Sequence, residues 1–118
     1  MKKIGAWIGA MRLRTLPLSI SGIMVGSALA FLLGNGNVQI FSTAILTTVL
    51  FQILSNLAND LGDSQKGADN ADRVGPKRAV QSGEISQSEM KVGVGLFMVL
   101  SFIAAGLLIY LSLPNLSI

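Results

Sequence analysis

The chain has 118 residues, 51% of them hydrophobic and 13% charged, where an ordinary soluble domain carries about 25% charged residues. All nine Lys/Arg and all six Asp/Glu fall within residues 2–14 and 60–91, and the uncharged apolar runs left over point to membrane helices and exclude a soluble or disordered chain. With no cysteine and no histidine, disulfides, thiolate catalysis, Cys-ligated metals and the commonest general base are excluded, which leaves carboxylates, amides, hydroxyls and cations for any chemistry.

Residues 1–14 are basic and amphipathic, with Ile4, Trp7, Ile8 and Met11 at helical spacing between Lys2/Lys3 and Arg12/Arg14. The pattern predicts a short interfacial helix anchored by Trp7. Ala28-Leu29-Ala30 resembles a cleavage site, but the apolar run continues through Phe31-Leu32-Leu33, so no cleaved secretory signal is expected. The first span is expected over about residues 16–33, with Pro17 in its first turn. Gly22, Gly26 and Ala30 recur every four residues, a small face suited to close helix packing. Gly34-Asn35-Gly36-Asn37 reads as a tight turn and not as a nucleotide loop, since no strand precedes it.

A second span is expected over about residues 40–57, polar at its C-terminal end, and a third over about 92–113, stopping before Pro114. Ser86-Gln87-Ser88-Glu89 is a capping-box pattern that starts the third helix a turn before the bilayer, and Glu84 and Glu89 read as capping or solvated charges. The expected architecture is an all-α integral membrane helical bundle, with residues 1–118 in one domain and an active-site loop over 58–91. Residues 1–14 and 58–91 hold all nine Lys/Arg, while 34–39 and 114–118 hold none, which predicts a multi-pass protein of the inner (plasma) membrane with its N-terminus and long loop cytoplasmic. Nucleic acid is not an expected partner: residues 60–91 set five basic against six acidic side chains and form no phosphate-tracking stripe.

The chemistry concentrates at the end of the second span. Gln52, Asn56, Asn59 and Asp63 are separated by 4, 3 and 4 residues, so at about 100° per residue they share a stripe roughly 60° wide, with Asp60 on its edge. A polar stripe leaving an apolar membrane helix must face the bundle interior or an aqueous cavity. Gly62 and Gly67 are expected to weaken the helix and let Asp69 fold back toward Asp63. Converging carboxylates repel unless a cation or protons intervene, and an all-oxygen donor set suits a hard ion: Mg²⁺, or Mn²⁺ or Ca²⁺ as lesser fits. An EF-type calcium loop fails on spacing, since Asp69-x-Ala71 lacks the second ligand. Lys66, Arg73, Lys77 and Arg78 follow within 16 residues of Asp63, either as positive-inside anchors or as a grip on phosphate oxygens. Carboxylates and cations together at a bilayer surface suit a lipid diphosphate.

The run Asn56-Leu-Ala-Asn59-Asp60-Leu-Gly-Asp63-Ser-Gln-Lys66-Gly67-Ala-Asp69, followed by Asp72-Arg73 and by Gly75-Pro76-Lys77-Arg78-Ala-Val-Gln81-Ser-Gly83, resembles the first aspartate-rich region of the UbiA-type membrane prenyltransferases. Arg14-Thr15-Leu16-Pro17 is similar to their N-terminal motif. The six-residue step from Asp63 to Asp69 is similar to the branch acting on 1,4-dihydroxy-2-naphthoate in menaquinone biosynthesis. The resemblance implies a bundle of about nine helices with Mg²⁺ between two aspartate-rich motifs, and a polyprenyl diphosphate and 1,4-dihydroxy-2-naphthoate as substrates. It implies Asn59, Asp63 and Asp69 as the catalytic set and metal ligands. Lys66, Arg73, Arg78 and Lys77 would bind the diphosphate, and Asn56, Gln52 and Arg14 would also contact substrate. The implied reaction breaks the allylic C–O bond of the diphosphate, joins the ring carbon to the prenyl group, and loses CO₂ and a proton to give demethylmenaquinol. No Asp or Glu follows Glu89, so the second motif of the family has no match here. The chain is therefore expected to be the N-terminal third of such an enzyme, inactive alone and completed by C-terminal helices. The alternatives are another aromatic prenyltransferase branch, or a small three-span cation-binding membrane or assembly protein.

Overall fold

The apolar runs fold as helices throughout the residues described by this computed structural model, 2–66 and 85–113. Helix α1 spans Lys2–Met11, a single 3-10 turn covers Leu13–Thr15, and α2 spans Leu16–Leu32, α3 Val38–Lys66 and α4 Gln87–Ser112. No strand occurs among the described residues. Three stretches, Ile4–Leu32, Val38–Asp63 and Gln87–Ser112, are long and apolar enough to cross a membrane.

Local chemistry fixes the helix ends. Pro17 sits in the first turn of α2, where its missing N–H has no intrahelical partner to lose. At the other end Gly34 takes φ +82, which a residue with a Cβ adopts only at a cost. The N–H of Asn35 then donates to Ala30 C=O at 2.9 Å and that of Gly34 to Phe31 C=O at 3.2 Å, a Schellman closure. The Phe31 ring lies directly over Gly36, leaving no room for a side chain there. Asn37 caps the next helix, its Oδ1 accepting from Ile40 N–H at 3.0 Å. At α4 the capping box forms in full: Glu89 N–H donates to Ser86 Oγ at 3.1 Å, and Ser86 N–H to Glu89 Oε1 at 3.0 Å.

The spans lie close to their expected places, but α3 is longer than expected. The loop was expected from residue 58, whereas the helix runs unbroken through Gly62 to Lys66. One glycine costs a helix only about 1 kcal/mol, and the buried Leu57 and Asp60 and the half-buried Leu61 fasten this segment from the inside. With 29 residues, α3 is roughly 44 Å long, about 14 Å more than the hydrocarbon thickness, so its last nine or so residues stand proud of the membrane core.

Helices α2 and α3 run antiparallel, as do α3 and α4. Thr15 and Ser19 of the elbow and α2 meet Asn56 and Gln52 of α3, and Phe51 of α3 meets Phe102 of α4 edge-to-face with centroids 6.0 Å apart. On α4 the inward residues Met90, Val94, Phe97, Ser101 and Ala104 follow a 4,3,4,3 spacing, the seam of a long helix pair. The core sits at the end where α1 docks: Ala6 and Ala10 of α1, Ile53 and Leu57 of α3, and Ile85 and Met90 leading into α4.

Two expectations about packing change. Trp7 is not a free interfacial anchor. Its ring fills the notch at Gly93 of α4, where an added Cβ would lie 2.6 Å from the ring. The inward face of α1 is thus Ala6, Trp7, Ala10 and Met11, while Ile4 and Ile8 point outward. Gly22 and Gly26 on the small face of α2 meet no helix among the described residues: a Cβ on either would have nothing within 4 Å. The inward side of α2 is the adjacent one, with Leu16, Ile20, Ile23, Ser27 and Ala30 half-buried, and Ser19 at its edge bonds Gln52.

Candidate functional site

The site is built on the overshooting end of α3 and on the elbow between α1 and α2. Along α3 the buried positions are Ile53, Asn56, Leu57 and Asp60, with Gln52 and Asp63 half-buried and Asn59 exposed. The inward arc is therefore turned by about 80° from the centre of the expected stripe, toward Asp60. The cause is apolar: Ile53 and Leu57 enter the core and carry Asn56 and Asp60 inward with them. Asp60, read from sequence as an edge position, is the carboxylate held deepest, with 1% of its surface exposed. Asn59 and Asp63, four residues apart, form an outward flank one helical turn long.

The elbow begins where α1 stops. Arg12 takes φ 53 and ψ 55, left-handed backbone for a non-glycine residue, which costs about 1–2 kcal/mol. Such strain persists only where the surroundings over-determine it, and here they do. Thr15 donates both its N–H, at 3.0 Å, and its hydroxyl, at 2.8 Å, to the Arg12 carbonyl. From α3, the Asn56 amide donates to Met11 C=O at 2.8 Å and to Thr15 Oγ1 at 3.4 Å. Gln52 donates to Thr15 Oγ1 at 3.4 Å and accepts from Ser19 Oγ at 2.6 Å. Gln52 and Asn56, expected to contact substrate, thus meet the elbow.

Arg14 is exposed, in the turn that opens α2. Arg12, Asp60 and Asp63 all have interaction partners. Asp69, Arg73, Lys77 and Arg78 lie outside the described residues, as does the expected return of Asp69 toward Asp63, and Lys66 enters only as the last residue of α3. Among the described residues no three acidic side chains come together as a metal cluster. Asn59, exposed, and Asp63, half-buried, nonetheless share one flank, and an amide and a carboxylate are oxygen donors of the kind that suits a hard cation such as Mg²⁺. Sequence reading missed Thr15 and Ser19 as partners of the α3 amides. The available signal was Thr15 and Ser19 themselves, hydroxyls four residues apart at the start of an uncharged run.

The model of the UbiA prenyltransferase family matches residues 19–117. A 1,4-dihydroxy-2-naphthoate octaprenyltransferase of Haemophilus influenzae is 42% identical over 98% of this chain and 38% of its own length. The Escherichia coli protein of the same name is 50% identical over 73% of this chain and 28% of its own, and that of Mycobacterium tuberculosis 31% identical over 97% and 39%. The chain thus spans less than two fifths of the length of these curated relatives. No solved structure matches it significantly.

Proposed function

The chain belongs to the UbiA prenyltransferase family, and from that premise we propose that the whole protein moves a polyprenyl group from its diphosphate to 1,4-dihydroxy-2-naphthoate, with loss of CO₂. The observation that carries this reading is the overshoot of α3. It lifts Asn59, Asp60 and Asp63 to the membrane face beside an arginine-bearing elbow, where a substrate with a lipid tail and an anionic head must bind.

In this reading residues 1–118 are part of one membrane domain, with α1 and the 58–91 segment on the cytoplasmic side of the inner membrane. Asn59 and Asp63 on their flank of α3, with Asp69, would hold Mg²⁺ at the diphosphate end of the site. Bound there, the ion would offset charge on the leaving diphosphate. Lys66, Arg73, Lys77 and Arg78 take the outer phosphate oxygens, arginine through its fork and lysine as a point charge. Arg14 adds a cation from the elbow. The apolar faces of the helices keep water from the allylic carbon while its C–O bond breaks.

Asp63→Asn or Asp69→Asn in the whole protein is expected to cut turnover by about 10²-fold or more, the usual cost of removing one preorganised charge contact in a dry site. Glu89→Gln, which weakens the α4 cap, is expected to cost less than about tenfold. Activity near that of the parent in both aspartate variants would overturn the assignment, and an equal loss in all three would mark the effect as misfolding.

A further inference from the structure

Two amides in a membrane helix, Asn56 buried and Gln52 half-buried, must be satisfied within the protein, since neither bilayer nor core offers water. Their bonds therefore tell what they are for. Asn56 is 5% exposed, and its amide donates to Met11 C=O and Thr15 Oγ1. Met11 ends α1, so its carbonyl is one of those that a helix leaves without a partner. Gln52, one turn earlier, accepts from the Ser19 hydroxyl and donates to Thr15 Oγ1. The two amides thus meet the chain on both sides of Arg12, whose left-handed backbone turns α1 away from α2.

The elbow displays Arg12 and Arg14, and the next turn of α3 beyond Asn56 carries Asn59 and Asp60, with Asp63 one turn further. At about 5.4 Å per turn, the height at which Asn56 grips Met11 sets the height of both arginines against the carboxylate end of α3. We infer that Gln52 and Asn56 are positioning residues, which fix the arginine-bearing elbow over the diphosphate end of the site without touching substrate themselves. The inference rests on the prenyltransfer reading for its kinetic consequence, and on the hydrogen bonds alone for its structural one. Thr15 is the hub, because its hydroxyl bonds Arg12 C=O, Asn56 and Gln52 together.

The test uses the whole protein in nanodiscs, freed of any cysteine outside these helices, with a nitroxide on Leu13→Cys, an exposed elbow position. Asn56→Leu keeps the shape and removes both donors, and Thr15→Val removes the hub hydroxyl. Each is expected to mobilise the label and to raise KM for the prenyl diphosphate about tenfold, with kcat within about threefold, the pattern of lost binding without lost chemistry. The double variant is expected to lose less than the sum of the two single ones, because the Asn56–Thr15 contact is common to both. Thr15→Ser keeps the hydroxyl and is expected to match the parent. A raised KM with an immobile label in Asn56→Leu would mean that Asn56 meets substrate directly and would overturn the inference. So would a mobile label with unchanged KM, or additive losses in the double variant. If Asn56→Leu fails to insert, Thr15→Val with its Thr15→Ser rescue carries the same decision. A parent with no turnover on 1,4-dihydroxy-2-naphthoate would refute the function reading instead, and the label would still show whether α3 holds the elbow.

Discussion

Adding one methyl group at Gly93 tests whether α1 is docked into the bundle. A Cβ there would lie 2.6 Å from Cζ3 and Cη2 of Trp7, about 1 Å inside the optimum for carbon pairs, so the indole must retreat or α1 must lift. Overpacking of this kind typically costs about 1–3 kcal/mol, equivalent to about 5- to 150-fold in the ratio of docked to undocked α1. Alanine also favours the helix by about 1 kcal/mol over glycine, but α4 is helical whether or not α1 is docked, so that gain cancels. Gly95→Ala supplies the control: it lies two residues along the same helix, and a Cβ there meets nothing within 4 Å.

Trp7 is the chain's single tryptophan, so its fluorescence reports the docking directly. In nanodiscs the Stern–Volmer slope with acrylamide is expected to rise in the order wild type, Gly93→Ala, Gly93→Leu, while Gly95→Ala stays with wild type. If Gly93→Leu and Gly95→Ala quench alike, Trp7 does not occupy the notch, and α1 is the free interfacial helix that its amphipathic pattern first suggests.

Two further outcomes follow from the same packing. Ser101 Oγ is buried with no hydrogen-bond partner among the described residues, so Ser101→Ala is expected to be neutral or to stabilise the α3–α4 pair by up to about 1 kcal/mol; a loss larger than that in reversible unfolding would show that the hydroxyl has work there. For orientation, the nine-to-zero split of Lys/Arg predicts that Asn35→Cys reacts with an impermeant maleimide on intact cells and Ser64→Cys only after permeabilisation, and the reverse pattern would invert the topology.

The spans and the α4 cap were legible because both are local. An uncharged run of about twenty residues has one physical solution in a bilayer, and Ser86 acts on a backbone group three residues away. The rotation of α3 was not legible. Its 4,3,4 polar spacing gives a stripe but not the direction the stripe faces. That direction is decided by which apolar neighbours α1 and α4 bring to Ile53 and Leu57. Trp7 likewise reads as an anchor until its partner is known, and Gly93 stands 86 residues away. In the same way, the small face of α2 marks where a helix can approach closely without saying which one does.

Length accounts for the order of polar residues along α3 better than their angles do. From Val38 to Asn56 is roughly 28 Å of helix, close to one hydrocarbon thickness, and Asp60 lies near 34 Å. Inside that limit the polar positions Gln52 and Asn56 are neutral amides, which can be satisfied by carbonyls and hydroxyls. Beyond it come Asp60 and Asp63, whose charge would be expensive any deeper. Amides placed within the bilayer can hold a neighbouring helix end in register, and carboxylates placed past its edge can meet cations and an anionic headgroup. Extending α3 to Lys66 therefore does two jobs with one helix: the part within the bilayer bonds the elbow, and the last nine or so residues carry Asn59, Asp60 and Asp63 beyond it.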